Sequence, residues 1–241
     1  MKRTCIVLFV LLPLTALSDI EIEYSGTHHW DNNQGILTFS SSGHMPQGKE
    51  EFFWDVPPSV RKIVIAENVT VLGGFRVRYR CSKNPLTIEG QARATSIIYG
   101  TDETEWTRNH HIPDNQKWKY GAVSVLEDAT VYIHNLTSQN PRGYHISGYA
   151  NRSVIHVDRC SILDTRPGST NNSDGFVGAA GSSIKNSSIS TTDDAIKIYH
   201  DITIDNVDIE QHRNGAPLQL GWGGTNRHAK AVIKNLTIKG V

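Results

Sequence analysis

The reading turns on residues 171–222, which hold N-N-S-D-G-F at 171–176, T-T-D-D-A-I-K-I-Y-H at 191–200 and N-G-A-P-L-Q-L-G-W at 214–222. Three carboxylates stand out: Asp174, Asp193 and Asp194. Asp174 and Asp194 are 20 residues apart. The sequence around them is a string of short β-type runs with a similar repeat. If one repeat is one turn of a solenoid, these carboxylates become neighbours on adjacent rungs.

The repeat itself is visible. Ile133-His134-Asn135-Leu136-Thr137 recurs at Ile184–Ile189, Ile204–Ile209 and Ile233–Ile238, with a weaker copy at Val157–Ile162. Positions 135, 159, 186, 206 and 235 are equivalent, at intervals of 24, 27, 20 and 29 residues. A period of 20 to 30 residues with one or two strands per repeat is a solenoid signature. No helical pattern fills the gaps, which excludes a leucine-rich repeat. The expectation is an all-β, right-handed, single-stranded parallel β-helix. Apolar residues stack inward, and the Asn sits at a bend that needs left-handed backbone. The rungs lie ~4.8 Å apart.

Outward from this core the chain divides. Lys2 and Arg3, the apolar run Ile6–Leu14 and the small residues Ala16-Leu17-Ser18 read as a secretory signal over 1–18. Residues 19–57 read as a short irregular or hairpin cap, with His28-His29 as loop residues rather than metal ligands. Residues 58–241 form the β-helix, expected to be incomplete at its C-terminus. Alternating apolar runs predict strands near 62–66, 85–89, 122–126, 130–134, 153–157, 195–199, 202–205 and 231–234. Residues 100–120, with Trp106, His110, His111 and Trp118, read as a loop inserted between coils.

The 24 basic and 24 acidic residues cancel, and no basic run suits nucleic acid. The apolar run of the leader is too short to span a bilayer. Cys81 and Cys160 read equally well as a disulfide or as two separate thiols. Six Asn-x-Ser/Thr sequons, several at the repeat's bends, read as chance products of the repeat rather than as glycan acceptors.

The chemistry follows from the carboxylates. Glycosidic hydrolysis needs one proton donor and one carboxylate that activates water or attacks. Three aspartates on two rungs supply both. Their mutual repulsion keeps a proton within the cluster near neutral pH. Asp174-Gly175 alone would read as a turn. The three together, beside Lys197, Tyr199 and Trp222, read as a site.

These motifs resemble glycoside hydrolase family 49, the dextranase and isopullulanase family. The resemblance implies a right-handed parallel β-helix, an inverting mechanism and a secreted or periplasmic enzyme acting as a monomer on internal α-glucosidic bonds, without cofactor or metal. It implies Asp193 as general acid, with Asp174 and Asp194 holding and deprotonating the water. Lys197, Tyr199, Asn214, Gln219 and Trp222 become substrate-binding residues. Spacing alone leaves the stereochemical outcome open. Family members carry an N-terminal β-sandwich that the forty or so residues before the solenoid do not supply. Family 28 polygalacturonases share the D-G then D-D layout, but this chain has no G-H-G or R-I-K motif. Two alternatives therefore stand beside the α-glucanase reading: a pectin hydrolase, and a β-helix that binds glycan without cleaving it.

Overall fold

The computed structural model describes residues 20–46, 53–78, 80, 84–103, 114–148, 150–167, 171–212, 214–221 and 228–240. The expected signal segment, Cys81, Trp106, His110, His111 and Trp222 lie outside them. The fold is a parallel β-helix. A first strand, β1 (His28–Asp31), runs antiparallel to β2 (Ile36–Phe39) and caps one end. The first coil is β2, β3 (Gly43–His44) and β4 (Phe53–Asp55). The second is β5 (Lys62–Ile65), β6 (Val69–Leu72) and β7 (Gly74–Val77), and the third β8 (Leu86–Gly90), β9 (Ser96–Tyr99) and β10 (Val123–Val125). The fourth is β11 (Ala129–His134), β12 (Thr137–Gln139) and β13 (Ile146–Gly148). The fifth is β14 (Ser153–Asp158), β15 (Ser161–Leu163) and β16 (Phe176–Val177). Then come β17 (Ser183–Thr191) with β18 (Ile196–Ile198), and β19 (Ile202–Gln211) with β20 (Leu218–Leu220). The last strand, β21 (Ala231–Gly240), pairs in parallel with β19.

Each coil contributes to three faces. The first face begins with β2, β5 and β8, and the second with β3, β6 and β9. The long strands β17, β19 and β21 run through both, joining them into one sheet. The third face is a separate sheet in the order β4-β7-β10-β13-β16-β18-β20.

Parallel register stacks like on like. Leu37, Ile63, Ile88, Ile133, Val157, Ile184 and Ile204 form one column through seven coils. Each is buried. Full burial of such a side chain is worth about 1.5–3 kcal/mol, so the ladder is the main store of stability. Its next member, Ile233, is 42% exposed, because no further rung covers β21 among the described residues.

The bends follow the repeat. Asn135, Arg159, Asn186, Asn206 and Asn235 all take positive φ, between 48° and 56°. Left-handed backbone costs most residues about 1–2 kcal/mol, and Asn tolerates it because its short amide can bond locally. Asn206 Nδ2 donates to Asn186 Oδ1 at 2.9 Å, and Asn186 Nδ2 donates to Asp158 Oδ1 at 2.7 Å. The amides thus link bend to bend, with Asp158 replacing Asn where the repeat carries Arg159.

Outward on the first face lies a column of ionisable side chains: Glu89, His134, Asp158, Lys185, Asp205 and Lys234. His134 Nε2 is 3.3 Å from Glu89 Oε2.

All eight expected strands are present within a residue or two, apart from β19 and β21, which continue through the Asn bend onto a second face. The stretch 19–57 differs from its reading as a cap. β2, β3 and β4 already pair in parallel with the second coil, so the solenoid includes Ile36, and among the described residues β1 alone is antiparallel. The alternation Ile36–Phe39 is only four residues long and was masked by aromatic and polar neighbours. His28 and His29 lie on β1 rather than in a loop. The inserted segment holds a 3-10 turn, Asp114–Lys119. Cys160 follows the bend at Arg159 and is buried, and burial pushes its thiol up to about 12.

Ile133→Ala removes a buried side chain from the middle of the column, where flanking coils cannot collapse, and should cost about 2–5 kcal/mol. Ile233→Ala should cost under about 1 kcal/mol, because its side chain is already partly in water. Chemical denaturation of both variants checks this; equal losses would contradict the column.

Candidate active site

The third face positions the site. β16, β18 and β20 are successive rungs, with Phe176 over Ile196 over Leu218. Asp174, Asp194 and Ala216 each stand two residues before those positions, and the backbone bonds continue the ladder there. Gly175 N donates to Asp194 O at 2.9 Å, and Ala195 N to Ala216 O at 2.9 Å. The spacing of 20 residues therefore is one coil, and Asp174 lies beside Asp194. Gly175 is needed for this approach: a Cβ there would sit 2.4 Å from Ala195 O. Gly215, at φ +76°, passes so close that a Cβ would be 2.5 Å from Asp194 N.

Asp174, Asp193 and Asp194 place one oxygen each within 4.8 Å of one another. Asp174 and Asp194 are buried, whereas Asp193 is half-buried. The Lys197 ammonium sits between the buried pair, 2.6 Å from Asp174 Oδ1 and 2.7 Å from Asp194 Oδ2. It donates a well-directed hydrogen bond to Asp194, while its contact with Asp174 Oδ1 is chiefly ionic. Three carboxylates in this space could also attract a metal cation, but the position between Asp174 and Asp194 is taken by the ammonium.

Gln219, one rung on, completes the arrangement. Its Oε1 accepts from Lys197 Nζ at 3.1 Å and from the Tyr199 hydroxyl, and its Nε2 donates to Asp194 Oδ2. Ala216 N donates to Asp194 Oδ1 at 2.9 Å. Asp194 is thus fixed by donors on both oxygens. Asp193 Oδ1 accepts from Asp194 N at 2.9 Å. Tyr199 stands behind Gln219 and is itself buried. Asn214 is on the rim.

Burial pushes the Asp174 carboxyl up to about 8, against the pull of Lys197, and Asp193 adds to the rise. Burial alone would lower Lys197, but the neighbouring carboxylates dominate and its pKa is raised. The shift makes Asp174 the carboxyl of the cluster that most readily takes up a proton.

Beneath the carboxylates the preceding residues form a clasp. Thr192 N donates to Ser173 Oγ at 3.2 Å, their hydroxyls are 3.1 Å apart, and Asn171 N donates to Thr192 Oγ1 at 3.1 Å. Thr192 in turn reaches Asp164, which is paired with Arg166 through two bonds of 2.9 and 2.8 Å. That pair is almost wholly buried, with side chains 0% and 1% exposed. Burial opposes the charge on Asp164, but Arg166 holds its carboxyl down to about 2.

Of the site residues expected from sequence, Asp174, Asp193, Asp194, Lys197, Asn214 and Gln219 line one cleft of about 580 Å³. Tyr199 reaches it through Gln219. Trp222 lies outside the described residues. Tyr144, Asn172 and Gly215 also line the cleft. Tyr144 faces Lys197, whose Nζ is 5.4 Å from its ring, and its hydroxyl bonds to Asp174. It lies one rung before Asp174, but 30 residues away, an interval that none of the repeat's spacings matches.

Asp174→Asn tests the proton in the cluster. A carboxyl raised from about 3.8 to about 8 in the fold contributes most to stability below pH 3.8, and that contribution is lost as pH rises through 8. The difference in Tm, variant minus wild type, should grow steadily from pH 4 to pH 8. A difference independent of pH would show that Asp174 is ionised throughout.

No family model matches the chain. It is 27% identical over 183 residues to a dextranase of Arthrobacter sp. (strain CB-8), and 25% identical over 183 residues to a dextranase of Arthrobacter globiformis. Both alignments cover 71% of this chain and 28% of the relative's length. The chain is thus a distant relative of dextranases over part of their length.

Proposed function

We propose that the protein is a secreted glycoside hydrolase that cleaves internal α-glucosidic bonds of a neutral polysaccharide, of the dextran or pullulan kind. The observation that carries this reading is the meeting of three carboxylates from two rungs with one buried ammonium in an open cleft. The relatives' name, dextranase, supports an α-glucan. So does the charge of the cleft. Among the described residues that line it, Lys197 is the one cation, and it is already engaged by two carboxylates. A uronate would enter a field of its own sign.

In this reading Asp193 protonates the leaving oxygen. It is the most open of the three, so a glycosidic oxygen can reach it. Asp174 and Asp194 hold the water, and Lys197 keeps the two carboxyls together. The shift on Asp174 favours a variant in which the resting proton sits there and passes to the cleft, but its side chain is too enclosed to meet a sugar directly. A second variant concerns the stereochemistry. Nearest oxygens within 4.8 Å lie closer to the ~5 Å carboxyl separation of retaining enzymes than to the ~6.5–9.5 Å of inverting ones. The family resemblance favours inversion. The anomer released first, followed by NMR, decides between them.

Release of reducing sugar should be faster from dextran or pullulan than from polygalacturonate; the reverse order would turn the assignment to pectin. Asp193→Asn should lower turnover by about 10²–10⁴ and leave substrate affinity nearly unchanged. A substrate with a good leaving group should rescue this variant and not Asp194→Asn. Rescue of Asp194→Asn instead would exchange the two roles, and normal activity in both would place the chemistry elsewhere.

A further inference from the structure

The third face carries a second depression, of about 380 Å³, that the carboxylate chemistry does not use. Its walls include Arg76, Arg78, Trp118, Lys119, Tyr120 and Glu127. Register places it relative to the cleft. Arg76, Ser124, Ser147, Val177, Lys197 and Gln219 form one outward column along that face. Arg76 is four rungs from Lys197, or ~19 Å at the rung spacing. The 3-10 turn Asp114–Lys119 crosses the column between them. Ser147 Oγ donates to Trp118 O at 2.5 Å, which fixes Trp118 over a position two rungs, or ~10 Å, from Lys197.

We propose that this depression is a remote sugar-binding site, engaging a distant part of the same neutral glycan chain that occupies the carboxylate cleft. The proposal rests on the glycan part of the reading above and deepens it. Trp118 is half-buried, held by its own backbone, and has Lys119 Nζ 5.5 Å from its ring. An indole on the wall of a cavity suits the C–H face of a pyranose, and few polar groups around it suffice for orientation. The rim supplies them. Arg78 is 3.2 Å from Asp55 and 3.8 Å from Glu127, which sets planar donors next to carboxylate acceptors. Vicinal hydroxyls both donate and accept and need such a mixture. Of the three cations on the walls, Arg76 and Arg78 are paired with Asp55 just outside them, and Arg78 also lies near Glu127. Edge contact between Tyr120 and Phe53, and a bond from Gly121 N to Ser124 Oγ at 2.9 Å, anchor the turn to the solenoid. The platform is therefore preorganised on a rigid sheet, which limits the entropy lost on binding.

The test is calorimetric binding and turnover of α-1,6-linked gluco-oligosaccharides of increasing length, with wild type, Trp118→Ala, Trp118→Phe and Arg78→Ala. Affinity of the wild type should rise with length until the chain reaches the remote site. Trp118→Ala should lower affinity for long chains on the order of tenfold, equivalent to about 1.4 kcal/mol, and leave the shortest bound chain unaffected. Trp118→Phe should restore most of the loss, which a purely structural role of the backbone turn would not require. Arg78 is half-exposed, so Arg78→Ala should fold normally and show the same length-dependent loss to a smaller degree. Equal losses on short and long chains, or no loss with either Ala variant, would overturn the proposal. So would no binding of any oligosaccharide by the wild type, or tighter binding of oligogalacturonate. Trp118-dependent binding without turnover would sink the hydrolase and keep the remote site; turnover indifferent to Trp118 would do the opposite.

Discussion

The parallel hydrogen-bond ladder, which sets each rung directly over the last, is the constraint on which everything else depends. It turns sequence periods of unequal length into spatial neighbours a single strand spacing apart. The unequal lengths go into the loops on either side of the third face. The same constraint that stacks isoleucine on isoleucine in the core stacks carboxylate on carboxylate outside. Asp174 and Asp194 are adjacent because Phe176 and Ile196 are.

Such stacking of like charge opposes folding unless it is balanced from within. Lys197 provides the balance, and its place is also fixed by the ladder. It projects from β18 immediately after the Asp pair, with Gln219 on the next rung behind it. Below, Thr192 N bonds to Ser173 Oγ and Asn171 N to Thr192 Oγ1, which holds the two Asp-bearing turns in register at positions where the backbone is not in a strand. The buried Asp164–Arg166 pair anchors the clasp from below through Thr192. The site is thus a rigid one, made of short turns held between strands rather than of a long loop.

Much of this was legible in the sequence for a physical reason. A solenoid makes long-range contacts out of a short-range pattern, so the Ile-x-Asn repeat sufficed to predict strands, bends and the neighbourhood of the three aspartates. The left-handed Asn residues at 135, 186, 206 and 235 are the clearest case. What the pattern hid were features without periodicity. The first coil, Ile36–Asp55, has strands of two to four residues among aromatics, too short to show alternation. Tyr144 lies outside every motif, although it sits one rung from Asp174. The clasp of Ser173 and Thr192 looked like ordinary turn composition, because hydroxyl side chains favour turns with or without a partner. The polar side chains that fasten Asp194 were visible as residues, but not their directions.

The column Glu89, His134, Asp158, Lys185, Asp205 and Lys234 has a consequence for how the chain assembles. Coils with nearly identical cores can dock out of order, since isoleucine does not distinguish one neighbour from another. Alternating sign does, from Asp158 through Lys185 and Asp205 to Lys234. If the coil of β14 skipped the next and met β19, Asp158 would face Asp205, and like charges directly opposite are unfavourable. Each exposed pair is weak by itself, yet the penalty for skipping is repeated at Lys185 against Lys234. The column therefore acts as an address label, telling each coil which coil comes next while the apolar interior supplies adhesion without discrimination.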